Sequence, residues 1–147
     1  PLYFEPTGIT AGTNGDMLIS DASSIYRVTP AGKVTRLFRG LDTASQLTRL
    51  NATTLLFAEQ APGRAFFGAR LVALNLTTAR RTTVVDGLTG ISDITLASDG
   101  TLWFTEPGNS NQPAKSIYRM SAEDLASALE ISTVWEVSSE VNRDGAR

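Results

Sequence analysis

Three carboxylates stand where they could do chemistry. Asp21 ends "NGDMLISD", Glu59 ends "NATTLLFAE" and Glu106 ends "DGTLWFTE". Each follows a polar turn and a strongly apolar run. Carboxylates gathered at one rim could bind a cation or serve as acid and base. The same residues could instead cap the turn that follows each run by accepting backbone N–H bonds. Recurrence weighs toward capping, because chemistry is needed once and a turn is needed in every copy.

Two longer segments carry recognition chemistry. "QAPGRAFFGAR" brings Arg64, Phe66 and Phe67 between glycines, and "PGNSNQPAK" brings Asn109, Asn111 and Gln112. A guanidinium beside two aromatics suits a protein or glycan partner. Alternatively, Phe66 and Phe67 tuck beneath their own loop. Asn51 in "NAT" and Asn75 in "NLT" are glycosylation sequons at expected turns. Trp103 and Trp135 could stack on a ligand, although Trp103, inside an apolar run, reads as core.

Composition removes other chemistries. The 147 residues contain no His and no Cys. Ser-His-Asp and HExxH sites cannot be built from them, nor can disulfides or thiolate metal sites. Thirteen basic residues against fifteen acidic ones give a net charge of -2, which offers nothing to nucleic acid. No apolar stretch approaches the roughly 18 residues of a spanning helix, so no membrane insertion is expected. The chain opens on Pro1 with no signal-like segment, as a processed or excised chain would.

The elements that position these residues come from a repeat. "GITAGTNGDMLISD" with "SIYRVTPAGKVTRL" is the first copy. "LTRLNATTLLFAEQ" with "ARLVALNLTTARRTTVV" is the second, and "DITLASDGTLWFTE" with "KSIYRMSAEDLASALEISTVW" is the third. Each copy reads as four short strands. The acidic ends at 21, 59 and 106 lie 38 and 47 residues apart, suitable for a four-stranded propeller blade with variable loops. In this register Ile9, Leu47 and Ile94 coincide, as do Leu18, Leu56 and Trp103, and Ile25, Leu71 and Ile117. Asn14-Gly15 and Asp99-Gly100 are hairpin turns, and "TPAG" at Thr29 to Gly32 is a Pro-initiated turn. The runs are nearly continuous because neighbouring blades cover both faces of each sheet.

The expected fold is therefore all-β: a β-propeller portion of three four-stranded blades, over 1–40, 41–88 and 89–138, with 139–147 leading toward a missing blade. A sandwich of about twelve strands is the alternative fold. A short helix is expected near 121–130, between the third and fourth strands of the last blade. Ser121 and Asp124 form its capping box, and Leu125 and Leu129 share a face. Three blades do not close a ring, which takes about four to eight. Further blades, from the same chain or another, are the expected partners. Two such chains would make a ring of six.

"PTGITAGTNGDMLISDASSIYRVTPAGKV" resembles the NHL-type repeat, and "LWFTE" with "IYRMS" resembles streptogramin lyase-like propellers. The wider group includes gluconolactonase-like and strictosidine synthase-like six-bladed propellers. The resemblance implies metal ligands (Glu, Asn or Asp) at the starts of the innermost strands, aimed into the channel. The matching positions here are Thr7, Ser45 and Ser92, with Glu5 and Asp93 close by. None of the three is a carboxylate or an amide. No cofactor is expected from this chain, and a divalent cation only if the full ring supplies ligands. The lyases are expected to use a His base with Mg, and the sequence has no His.

Two functions follow as expectations. One is a non-catalytic interaction or structural module that binds a protein or glycan through its loop face. The other is part of a lyase or lactonase whose catalytic residues lie on blades outside this chain. The sequons and the group's frequent extracellular use point to a secreted protein.

Overall fold

The computed structural model describes residues 5–60, 68–107, 116–131 and 135–136. β1 (Gly8–Ala11), β2 (Met17–Ser20), β3 (Ser24–Val28) and β4 (Val34–Arg39) form one antiparallel meander. β5 (Ser45–Arg49), β6 (Thr54–Gln60), β7 (Ala69–Asn75) and β8 (Arg81–Leu88) form a second. β9 (Asp93–Leu96), β10 (Leu102–Glu106) and β11 (Ser116–Met120) form a third.

The turns behave as their residues dictate. Asn14 and Gly15 both hold positive φ, at 56° and 79°, which a two-residue hairpin turn of this hand requires. At Asp99-Gly100 the carboxylate accepts the Thr101 N–H at 2.9 Å, and this bond holds the Asp99 carboxyl below its usual pKa. At Thr29 to Gly32 the Gly32 N–H closes onto the Thr29 carbonyl at 2.8 Å.

The three sheets stack face to face. The back of the first (Leu18, Ile25) packs on the front of the second (Leu47, Leu55, Phe57, Val72, Leu74). The back of the second (Leu56, Ala58, Leu71, Ala73) packs on the front of the third (Ile94, Leu102, Phe104, Tyr118, Met120). The Phe104 and Tyr118 rings stack with centroids 5.0 Å apart. The inner edges approach closely. A Cβ on Gly8 would stand 3.1 Å from the Gln46 and Leu47 amide nitrogens of β5, tighter than ordinary contact, so a larger residue would push the two strands apart by a few tenths of an ångström. The Thr48 hydroxyl reaches from β5 to the Ile94 carbonyl of β9 at 2.9 Å.

α1 (Ala122–Ile131) begins as expected: Ser121 Oγ accepts the Asp124 N–H at 3.1 Å and donates to its carboxylate at 2.7 Å. Leu125 and Ala128 are buried in the second core, with Leu129 at its margin. The strand after the helix differs from the expectation. β12 (Trp135–Glu136) does not complete the third sheet but pairs in parallel with β8 of the second. α1 packs over β8 and so delivers the chain to that otherwise unpaired edge. Trp103 is also not core. It shares the rung of Leu18 and Leu56, yet lies half-buried on the back of the third sheet, which no described element covers.

Candidate functional site

The turns between the second and third strands of each sheet emerge on the same rim as the connections between sheets. The Leu41 N–H donates to the Ser23 carbonyl at 3.0 Å, and the Gln60 N–H to the Asp42 carbonyl at 2.8 Å. The long segments at 61–67 and 108–115 leave from and return to this rim. Arg64, Phe66, Phe67, Asn109, Asn111 and Gln112 lie within them, outside the described residues.

The three recurring carboxylates occupy this rim and are all engaged. Glu59 is 1% exposed. Its Oε2 accepts from Arg70 Nη2 at 2.7 Å and Nε at 3.1 Å. Its Oε1 accepts from Arg81 Nη1 at 3.1 Å and from the Asp42 N–H at 2.9 Å. Glu106 Oε1 accepts from the Thr89 N–H at 2.6 Å and hydroxyl at 2.7 Å, and Oε2 from the Tyr118 hydroxyl at 2.7 Å. Asp42 and Thr89 each stand 17 residues before their carboxylate, in the connection that leads into its blade. Each glutamate therefore ties its own blade to the segment that introduces it.

Asp21 is one methylene shorter and closes on its own turn. It accepts from the N–H groups of Ser23 at 2.8 Å and Ser24 at 2.7 Å, and from the Tyr26 hydroxyl at 2.9 Å. Partial burial pushes its carboxyl up, but these bonds outweigh that and hold it below the ordinary aspartate value. Tyr118 moves the other way. Burial, then its bond to Glu106, push its phenol up to about 12.

Aligned by strand pairing, Tyr26, Val72 and Tyr118 share one rung. Where the middle blade has Val72 instead of a phenol, Arg70 supplies the donor. Arg70, Arg81 and the two tyrosine hydroxyls are functional partners that the strand pattern did not single out. The signal was present in the aligned repeats: the copy that has Val72 in place of a Tyr has Arg70 where the last copy has Ser116.

The inner-strand starts form a second polar set. The Thr7 N–H donates to the Ser20 carbonyl at 2.8 Å and the Ser92 N–H to the Thr105 carbonyl at 2.9 Å, so these two positions are equivalent. The middle blade breaks the register. A bulge lies between Ser45 and Thr48, and Gln46 takes φ 48°. Ser45 thereby pairs with Ala58, as Gly8 pairs with Ser20, and Ala44 falls on the rung of Thr7 and Ser92. The Thr7 hydroxyl donates to the Ala44 carbonyl and lies 3.0 Å from Ser20 Oγ. Ser45 donates to the Gln46 amide, which the bulge places beside it. Ser92 and Asp93 are exposed, as is Glu5, and Asp93 Oδ1 accepts the Ile94 N–H at 2.9 Å. Among the described residues no three acidic side chains gather as a cation site would require.

The opposite rim carries the sequons. Asn51 Oδ1 accepts from the N–H groups of Thr53 and Thr54, both at 2.9 Å, and Asn75 Oδ1 from those of Thr77 and Thr78, both at 2.9 Å. Both are Asx turns. Among the described residues no helix is long and apolar enough to cross a membrane.

No family model matches the sequence, and no curated protein does so by sequence. Solved structures do match by shape. The PQQ-bound aldose sugar dehydrogenase of Streptomyces coelicolor superposes on 84% of this chain, with 17% identity and a TM-score of 0.62. The fold is that of a β-propeller. Virginiamycin B lyase of Staphylococcus aureus covers 79% of the chain at 20% identity and a TM-score of 0.51. A protein described as a gluconolactonase covers 81% at 13% identity and a TM-score of 0.54. These propellers are longer: the chain spans 46%, 41% and 45% of their lengths, respectively. The lyase-like and lactonase-like resemblance read from the sequence thus returns as shared architecture.

Proposed function

We propose that this chain is a binding and scaffolding portion of a propeller. It holds a partner on its loop rim and leaves bond-making chemistry to blades outside it. The observation that carries this reading is the engagement of Asp21, Glu59 and Glu106. The side chains best suited to acid–base work are committed to bracing that rim. A braced rim fixes the ends of 61–67 and 108–115, which lowers the ordering cost when a partner binds them.

A protein or a glycan would suit Arg64, Phe66, Phe67, Asn109 and Asn111, and the glycan is favoured. Aromatic faces stack on sugar rings, amides and guanidinium bond their hydroxyls, and two structural neighbours are named for sugar chemistry. Secretion accords with this reading, since Asn51 and Asn75 lie on the rim away from the binding loops. A mobility shift on enzymatic deglycosylation of the secreted protein would test it.

A glycan array probed with the chain and with a Phe66→Ser, Phe67→Ser variant tests the reading. The expected result is a defined set of bound sugars that the variant loses while its circular dichroism is unchanged. Identical profiles for the two proteins would refute it. The second reading, part of a propeller enzyme, is favoured by neighbours that are named as a lyase, a lactonase and a dehydrogenase. It predicts stoichiometric divalent-metal binding in calorimetry once a full ring is assembled.

A further inference from the structure

The junction between the first two blades is not filled to its end. Toward the rim of Asn51 and Asn75, the back of the first sheet and the front of the second leave a pocket of about 240 Å³. Leu18 and Arg27 are paired across β2 and β3, so both lie on the back of the first sheet. Leu37 of β4 and Leu76, just past β7, join Leu18 in an apolar wall. Both sides of the pocket therefore come from blades that pack on each other within the chain.

Three charged side chains line the same space: Asp16, Arg27 and Arg49. Asp16 is 4% exposed, and its Oδ2 accepts from Arg27 Nε. That single contact leaves both Nη groups of Arg27 without an acceptor among the described residues. Arg49 is half-buried. Its Nε donates to the Asn51 carbonyl at 2.8 Å and its Nη1 to the Gly12 carbonyl. These carbonyls fix the plane of the guanidinium but carry no charge to match it. Among the described residues no carboxylate lies within ion-pair distance of Arg49. A guanidinium drawn partly out of water is best satisfied by a planar oxyanion, which its N–H fork matches.

We propose that this pocket binds a small monocarboxylate with an aliphatic body. The carboxylate accepts from the free N–H groups of Arg27 and Arg49, and the body lies on Leu18, Leu37 and Leu76. The charge balance selects a monoanion, because two guanidiniums against the Asp16 carboxylate leave a single positive charge. A phosphate dianion would exceed that charge and be repelled by Asp16. The volume holds about eight water-sized groups at roughly 30 Å³ each, which suits a branched six-carbon carboxylate such as isocaproate. The pocket opens on the rim opposite the glycan-binding loops, so the proposal stands apart from the reading of those loops.

The test is a titration of the isotope-labelled chain with isocaproate at neutral pH, followed by amide NMR. Saturable shifts are expected at Gly12, Thr13, Ala52 and Leu76, with a Kd of about 1 mM or below, as suits so small a ligand. Isocaproamide keeps the body without the charge, and acetate keeps the charge without the body. Each should bind at least about tenfold more weakly. Arg49→Gln removes the unmatched charge and should weaken isocaproate about tenfold or more. Arg49 also ties the two blades through the Gly12 carbonyl, so that variant could unfold. Leu37→Glu then serves instead. Leu37 is 37% exposed, and a carboxylate there should repel the ligand without disturbing the core. Four results would each overturn the proposal: no saturable shifts in the parent, shifts confined to the opposite rim, an amide or acetate that binds as tightly as isocaproate, or folded variants that bind as the parent does.

Discussion

The middle blade and the last blade use the same rung in opposite circumstances. Leu71 lies between two sheets and is sealed. Ile117, at the same place on the same strand, is 50% exposed, with a sheet on one side only among the described residues. The difference teaches that a blade strand is written for a neighbour on each face, whether or not that neighbour belongs to the chain. The middle blade also carries the heaviest electrostatics. Glu59 is buried with two guanidiniums, while Glu106 in the last blade is partly open and held by a phenol and a threonine.

The largest effect should separate those two carboxylates. Glu59→Ala leaves Arg70 unpaired in a mostly buried setting and should cost about 4 kcal/mol in urea unfolding. Glu106→Gln keeps the shape and should cost about 1 to 2 kcal/mol. Equal costs would break the comparison.

The paired rungs come next. Leu71→Ala should cost about 3 kcal/mol, from lost transfer energy and a cavity. Ile117→Ala should cost about 1 kcal/mol in dilute protein.

The phenols give a smaller effect with a pH signature. Tyr118→Phe should cost about 1 kcal/mol at neutral pH. Because the folded phenol is raised to about 12, its neutral form is favoured by folding. That contribution is fully present below the unfolded value of about 10 and is lost as pH rises from there toward 12. The Tyr118→Phe variant should not show that alkaline loss in thermal melts. Asp21 has the opposite sign. Its lowered carboxyl contributes above the unfolded value of about 3.9, and the contribution fades as pH falls through the folded value. Asp21→Asn should flatten that acid limb.

The architecture was legible because repetition marks the strands and Asn-Gly, Asp-Gly and Thr-Pro mark the turns. The capping reading describes Asp21, which closes on its own turn; Glu59 and Glu106 instead hold the connection that precedes their blades. Their partners were not legible. Arg70 and Arg81 meet Glu59 only when strand pairing brings residues 11 and 22 apart into one cluster. The bulge at Gln46 hid the true rung of Ser45, because β5 has a single apolar residue, Leu47, and so no alternation in which the extra residue could show. Trp103 carried a core residue's identity into a face that no described element covers. The strand at Trp135 followed the helix to β8, a choice set by tertiary packing rather than by local pattern.

The Asn51, Asn75 and Asp99 side chains of one rim and the glutamates of the other differ in the span of their bonds. On the rim of Asn51, Asn75 and Asp99, side chains satisfy amides two or three residues away. On the other rim, bonds join residues 17 and 41 apart. An insertion near Thr77 and Thr78 falls in a turn whose side-chain bonds are local, next to the Leu76 N–H that crosses to the Thr53 carbonyl at 2.7 Å, whereas one near Asp42 breaks the bond by which Glu59 holds the connection into its blade. The first rim is the place to attach a dye, a tag or a surface tether, leaving the opposite rim facing outward.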